Sequence, residues 1–237
     1  MTTPILTTMR TWIELDGIDW ETYAAVMRPW VAGAYRHDGA VGDFGQADGA
    51  VGDGGQAVLG QAGGAVGDGG QAVLRNPVHA LERGECTNAE FEAMLAAQLK
   101  TVHGGPVAAD GLLRRMFAAS MPVPAMYNLI RTLRGAGFGT ALLSNSWGCE
   151  EYPRADFPGL FDTVVISAEV GMRKPEPEIF VHAAATLGLE PAECVFIDDV
   201  AANIAAAVAC GMTGVHHTDP AVTARELQAL LAVRLAG

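Results

Sequence analysis

From Pro122 to the C-terminus, short apolar runs alternate with helical patterns, and this alternation constrains the fold more than any other feature of the chain. Thr140–Ser144, Thr163–Ser167, Cys194–Asp199 and Thr213–His216 have the length and β-branched or aliphatic content of buried strands. Between them, Met126, Leu129, Ile130 and Leu133 form a helical stripe closed by Gly135, and Ile179, Phe180, Ala183 and Leu187 form a second that ends at Gly188. Val200–Cys210 is a third helix, and Asp219-Pro220 opens a fourth with a cap followed by a first-turn proline. Strands joined through helices by short connections are parallel with right-handed crossovers, so the expected fold class is α/β with a doubly wound parallel sheet. Gly135-Ala136-Gly137-Phe138-Gly139 follows a helix and precedes a strand, the reverse of a dinucleotide-binding loop, which excludes that function for it.

The N-terminal half offers no convincing strand. Helical spacing is expected from Met9 to about Leu15 and from Trp20 to Tyr35, joined by the turn Asp16-Gly17-Ile18-Asp19. Thr87 and Glu90 predict a capping box for a helix running to about Leu99, and 111–119 reads as another helix. Between these groups, Gly-Ala-Val-Gly-Asp-x-Gly-Gln-Ala recurs from Gly39, Gly49 and Gly64. The unequal offsets and the residue order exclude a calcium-binding β-helix, so 36–75 is expected to be a low-complexity insert without chemistry of its own. The domain expectation is therefore 1–8 as the remnant of a first core strand and loop, 9–119 as a helical module carrying the 36–75 insert, and 120–237 as the α/β core.

A net charge of −12 with no basic run argues against nucleic acid and against an anionic membrane as partners. No apolar run reaches about 18 residues and no signal pattern opens the chain, so a cytoplasmic location is expected. Cys86, Cys149, Cys194 and Cys210 are scattered without a C-x-x-C and are expected to be reduced, buried thiols.

In doubly wound sheets ligands bind beyond the carboxyl ends of the strands. Three such ends carry polar groups. Ser144 and Asn145 offer a hydroxyl and an amide able to hydrogen-bond a phosphoryl oxygen. Lys174, in Gly171-Met172-Arg173-Lys174-Pro175, supplies a point charge for developing negative charge. Asp198 and Asp199 are adjacent carboxylates, best kept ionised together by a divalent cation such as Mg²⁺, although either could instead cap the helix that follows.

Taken in order, Leu-Leu-Ser-Asn, Gly-Met-Arg-Lys-Pro-Glu-Pro-Glu-Ile-Phe and Val-Phe-Ile-Asp-Asp-x-x-x-Asn closely resemble the motifs of the haloacid dehalogenase-like hydrolases, in the subfamily with a helical cap after the first strand. The resemblance runs from about Asn76 to Val233 and includes Leu81-Glu82-Arg83-Gly84-Glu85. It implies a Rossmann-like core in which Ser144 and Asn145 bind the phosphoryl group, Lys174 stabilises the nucleophile and the transferring group, Asp198 and Asp199 hold Mg²⁺, and Asn203 braces the following loop. Trp147 would shape the pocket or serve the core. The implied activity is Mg²⁺-dependent hydrolysis of a small phosphate ester through a phosphoaspartate. A 2-haloacid dehalogenase and a non-catalytic binding protein are the alternatives.

The resemblance also implies a nucleophilic aspartate at the end of a central first strand, between the Cys194 and Thr140 strands, and no such motif occurs in these 237 residues. Met1-Thr2-Thr3-Pro4 looks like the residues just after that aspartate, which suggests a start assigned too late. Without the strand, two sheet edges are unpaired at a cost comparable to the ~5–15 kcal/mol that stabilises an ordinary domain. The chain as written is thus expected to be poorly stable and without phosphoaspartate chemistry.

Overall fold

The computed structural model describes residues 5–34, 76–148, 152 and 154–232. The insert at 36–75, the segment 1–4 and Cys149 lie outside the described residues.

Among the described residues the N-terminal half contains α1 (Ile5–Leu15), α2 (Trp20–Ala34), α3 (Pro77–Glu82), α4 (Asn88–Ala96) and α5 (Leu112–Phe117). Helix α1 begins before Met9, so Ile5–Thr8 is helical and not part of a strand and loop. The turn between α1 and α2 forms as the sequence requires, with Gly17 at φ +58° and Val102 N–H donating to the Gly17 carbonyl at 2.8 Å. Thr87 and Glu90 complete a reciprocal capping box on α4. At the start of α3, Asn76 Oδ1 accepts from Val78 N at 3.0 Å while its Nδ2 donates to the Trp30 carbonyl at 2.7 Å, tying α3 to the end of α2. Trp12, Tyr23, Leu81, Phe91, Leu95, Leu112 and Met116 form one apolar core, with Trp147 from the other half packed against it.

The C-terminal half alternates α6 (Pro124–Gly135), β1 (Ala141–Ser144), β2 (Thr163–Ile166), α7 (Ser167–Val170), α8 (Pro177–Thr186), β3 (Val195–Asp198), α9 (Ala201–Ala209), β4 (Thr213–His216) and α10 (Pro220–Leu231). All strand pairing is parallel, and the expected α/β class is observed. Val195 and Ile197 of β3 pack with α6 and α10, whereas Cys194 and Phe196 pack with α8 and α9. This alternation gives β3 a helical layer on each face, as a doubly wound sheet requires. Gly214 of β4 lets α9 approach: a Cβ there would lie 2.7 Å from Ile204 Cγ2 and 2.9 Å from Val208 Cγ2. Asp219 caps α10 by accepting from Ala221 N and Val222 N.

The described strands form two separate parallel pairs, β1 with β2 and β3 with β4. Ser144 lies opposite Ile166, and Asp198 opposite His216, so both pairs end their ladders at the site-bearing residues. Strand β2 buries Val165 and Ile166, whereas no residue of β1 is fully buried. The cysteines Cys86, Cys194 and Cys210 are free thiols but only half-buried: Cys86 lies in the loop between α3 and α4, Cys194 just before β3 and Cys210 just after α9. No helix among the described residues is long and apolar enough to cross a membrane.

The two halves touch where α3 ends. Gly84, at φ +71°, passes so close to α7 that a Cβ would lie 2.7 Å from the Ala168 carbonyl oxygen, and backbone cannot swing aside. Gly17 has a similar φ but open space around it. Gly84→Ala is therefore expected to lower the urea midpoint by more than Gly17→Ala. The latter carries only left-handed strain of about 1–2 kcal/mol, and the former adds the collision; equal shifts would disprove the contact.

Candidate active site

The ends of β1 and β3 converge on Lys174, which lies not at a strand end as expected but in the loop between α7 and α8. Its Nζ donates to Asp198 Oδ2 at 2.6 Å and to the Leu143 carbonyl at 3.2 Å, and it lies 5.6 Å from the centre of the Phe196 ring. One ammonium thus links the end of β1 to the end of β3. Lys174 and Asp198 are both buried, 8 % and 6 % exposed. A buried ion pair of this kind survives only with further hydrogen bonds to its remaining lone pairs. Asp198 has them: its Oδ1 accepts from Val200 N at 2.8 Å and from Asn203 Nδ2 at 3.1 Å. The N-cap of α9 is Val200, without a side-chain cap bond, so neither aspartate fills the helix-cap role.

Asn145 clamps the lysine's backbone. Its Oδ1 accepts from Lys174 N at 2.8 Å, and its Nδ2 donates to the Lys174 carbonyl at 3.0 Å. The amide expected to meet a phosphoryl oxygen is thereby committed to holding the Lys174 loop. Ser144 keeps its hydroxyl at the rim, 2.9 Å from the Tyr152 hydroxyl. Asp199 is exposed; its backbone carbonyl lies 3.1 Å from His216 Nε2. Asn203 braces the Asp198 carboxylate directly, and Trp147 packs edge-on against Phe91 and Phe117 of the helical module.

Beneath this rim is a second buried ion pair that motif reading did not single out. Glu82, at the end of α3, is fully buried and accepts from Arg173 Nε, and Arg173 is 2 % exposed. Glu82 Oε1 also accepts from Asn145 Nδ2 at 3.3 Å. Burial pushes the Glu82 carboxyl up, against the opposing pull of Arg173. Nearby, Arg83 pairs with Glu176. The sequence signal for Glu82 is an acid at an otherwise apolar helix end; for Tyr152 there is none.

Asp198 and Asp199 are hard oxygen donors, and Asn203 Oδ1 is buried without a hydrogen-bond partner. No cluster of three or more acidic, His or Cys ligands occurs among the described residues. Mg²⁺ characteristically uses one or two carboxylates and completes its shell with water and phosphate oxygens, so this sparse oxygen set fits it.

An α/β half that gathers a hydroxyl, an ammonium and carboxylates beyond its strands is suited to binding an anionic group. A family model of the haloacid dehalogenase-like hydrolases matches residues 56–211, and the chain belongs to that family. Among curated proteins it is 32% identical over 159 residues to the sesquiterpene phosphatase astK of Aspergillus oryzae, covering 63% of this chain and 76% of the relative. It is 34% identical over 111 residues to the bifunctional epoxide hydrolase 2 of Sus scrofa, but that match spans 44% of this chain and only 20% of the longer protein. Among solved structures, the HAD family enzyme bt-2542 of Bacteroides thetaiotaomicron aligns with a TM-score of 0.50 at 25% identity, over 67% of this chain and 78% of that one. A predicted HAD-like hydrolase from Porphyromonas gingivalis shares the fold, with a TM-score of 0.54 at 24% identity over 68% of this chain and 82% of its own.

His79, on α3 beside this site, has its pKa lowered to about 4 by burial and by the positive charges of Arg173 and Arg83. Its buried Nε2 has no hydrogen-bond partner. The unfolded chain takes up this proton near pH 6.5 and the folded chain only near 4, so His79 adds stability above pH 6.5 that is lost as pH falls toward 4. His79→Leu is expected to flatten the rise in urea midpoint between pH 4.5 and 6.5 relative to the wild type. An unchanged slope would contradict a buried neutral imidazole.

Proposed function

We propose that the site is the phosphoryl-binding half of a phosphoester hydrolase acting on a small phosphorylated molecule. The observation that carries this reading is the Lys174 ammonium, fixed between Asp198 and the carbonyl of Leu143, the residue before Ser144. A phosphoryl group entering there meets a point charge and a hydroxyl donor, which is the electrostatic complement its oxygens need. Ser144 would exchange its Tyr152 partner for a phosphoryl oxygen. Lys174 would hold its position through Asn145 while its charge neutralises the transferring group. Asp198 and Asp199 would hold Mg²⁺, which when bound supplies further charge neutralisation at the phosphoryl oxygens. The family membership and the phosphatase relative support hydrolysis of a phosphate ester over dehalogenation. So does the acid pair, since carbon–halogen cleavage by the same nucleophile needs no metal.

Turnover through a phosphoaspartate needs an unpaired carboxylate facing the phosphorus. Asp198 is engaged by Lys174, and Glu82 by Arg173. A second reading, favoured by those two pairings, is a site that binds phosphate without forming the covalent intermediate. Titration calorimetry with inorganic phosphate and Mg²⁺ is expected to show binding that weakens at least tenfold in Ser144→Ala and Lys174→Met. p-Nitrophenyl phosphate should not turn over. Absent phosphate binding would overturn the first reading, and Mg²⁺-dependent turnover the second.

A further inference from the structure

The Glu82 side chain is fully buried, yet it belongs to the helical module and not to the strand ends. Each carboxylate oxygen holds a different loop of the site: Oε1 accepts from Asn145, in the loop after β1, and Oε2 accepts from Arg173, the residue before Lys174. Asn145 in turn bonds both the N–H and the carbonyl of Lys174. The same residue's backbone makes an independent third tie. Its carbonyl accepts from Ser167 Oγ at 2.5 Å, and Ser167 Oγ accepts from Ser146 N at 2.7 Å. A neighbouring ion pair between the module and the α/β half, Arg83 with Glu176, is partly exposed, and the hydrogen bonds that join it involve neither Asn145 nor Lys174.

We infer that Glu82 is the positioning residue of the site, the group through which the helical module sets the placement of Lys174. The inference rests on the reading of Lys174 as the site's cation. Removing a group that merely stabilised the fold would loosen every contact together. Removing the Glu82 side chain should loosen the Asn145–Lys174 clamp while sparing the Ser146–Ser167 bond, to which Glu82 is linked through its backbone carbonyl and not its side chain.

Site-resolved amide hydrogen exchange on the full chain separates these cases without needing turnover. In Glu82→Gln, the Lys174 amide is expected to lose at least tenfold of its protection. The Ser146 amide and the β4 amides should change less than threefold. Glu82→Asp, which keeps the charge opposite Arg173 but shortens the reach, should show the same pattern to a smaller degree, and it serves if the Gln variant does not fold. Arg83→Ala should leave Lys174 protection within threefold of wild type. A uniform loss at Lys174, Ser146 and β4, or unchanged Lys174 protection, would overturn the inference. Failure of wild-type protein to bind inorganic phosphate would count against the functional reading, and the exchange pattern would still decide the role of Glu82.

Discussion

The Lys174–Asp198 pair is the contact on which the rest of the α/β half depends. It brings together the ends of two strand pairs that share no backbone ladder. In a continuous sheet, hydrogen bonds between neighbouring strands would fix those ends. Here one ammonium does so, reaching the carbonyl of Leu143 on one side and a carboxylate on the other. Taking both charges out of water costs several kcal/mol per ion in effective terms, and that penalty is offset only because each has several partners. Val200, Asn203, Leu143 and the Phe196 ring are those partners, so the pair is as much a product of the loops around it as their anchor.

Much of this arrangement is readable from sequence because local chemistry and global fold agree. The capping box at Thr87, the Asp219-Pro220 start of α10 and the strand Thr213–His216 are set by nearest neighbours and appear as expected. Ser144 and Asp198 fall at strand ends for the same reason, whereas Lys174 lies in the loop after α7. What was not readable is which polar group faces which. Asn145 carries an amide suited to a phosphoryl oxygen, but the geometry of the loop turns it to the Lys174 backbone, and no residue pattern encodes that choice. Glu82 and Arg173 are 91 positions apart in sequence, so their pairing is a purely tertiary fact. The early start of α1 was missed because Thr7 and Thr8 are weak helix formers and hid the pattern.

Burial of charge is concentrated where the two halves meet. Glu82, Arg173, Lys174 and Asp198 are all buried, and each has its partner in another loop or element. Such contacts discriminate strongly by geometry, because a misplaced partner leaves a desolvated charge behind, whereas apolar contacts tolerate sliding. The apolar cores of the two halves remain largely separate, with Trp147 the main aromatic bridge between them. Affinity between the halves and precision at the site are thus supplied by different kinds of contact.

The separation of the strands into two pairs bears on how this chain behaves in company. Among the described residues β1 pairs only with β2 and β3 only with β4, so each can offer a further row of N–H and carbonyl groups at regular spacing, with Leu142, Leu143 and Phe196 half-buried on these strands. An extended segment of any chain with apolar alternation can satisfy such a row. A net charge of −12 keeps whole molecules apart at long range, but it does not blunt a backbone template once an extended segment has reached it. Wherever such a row is open, a few backbone groups matter more to association than the composition of the surface.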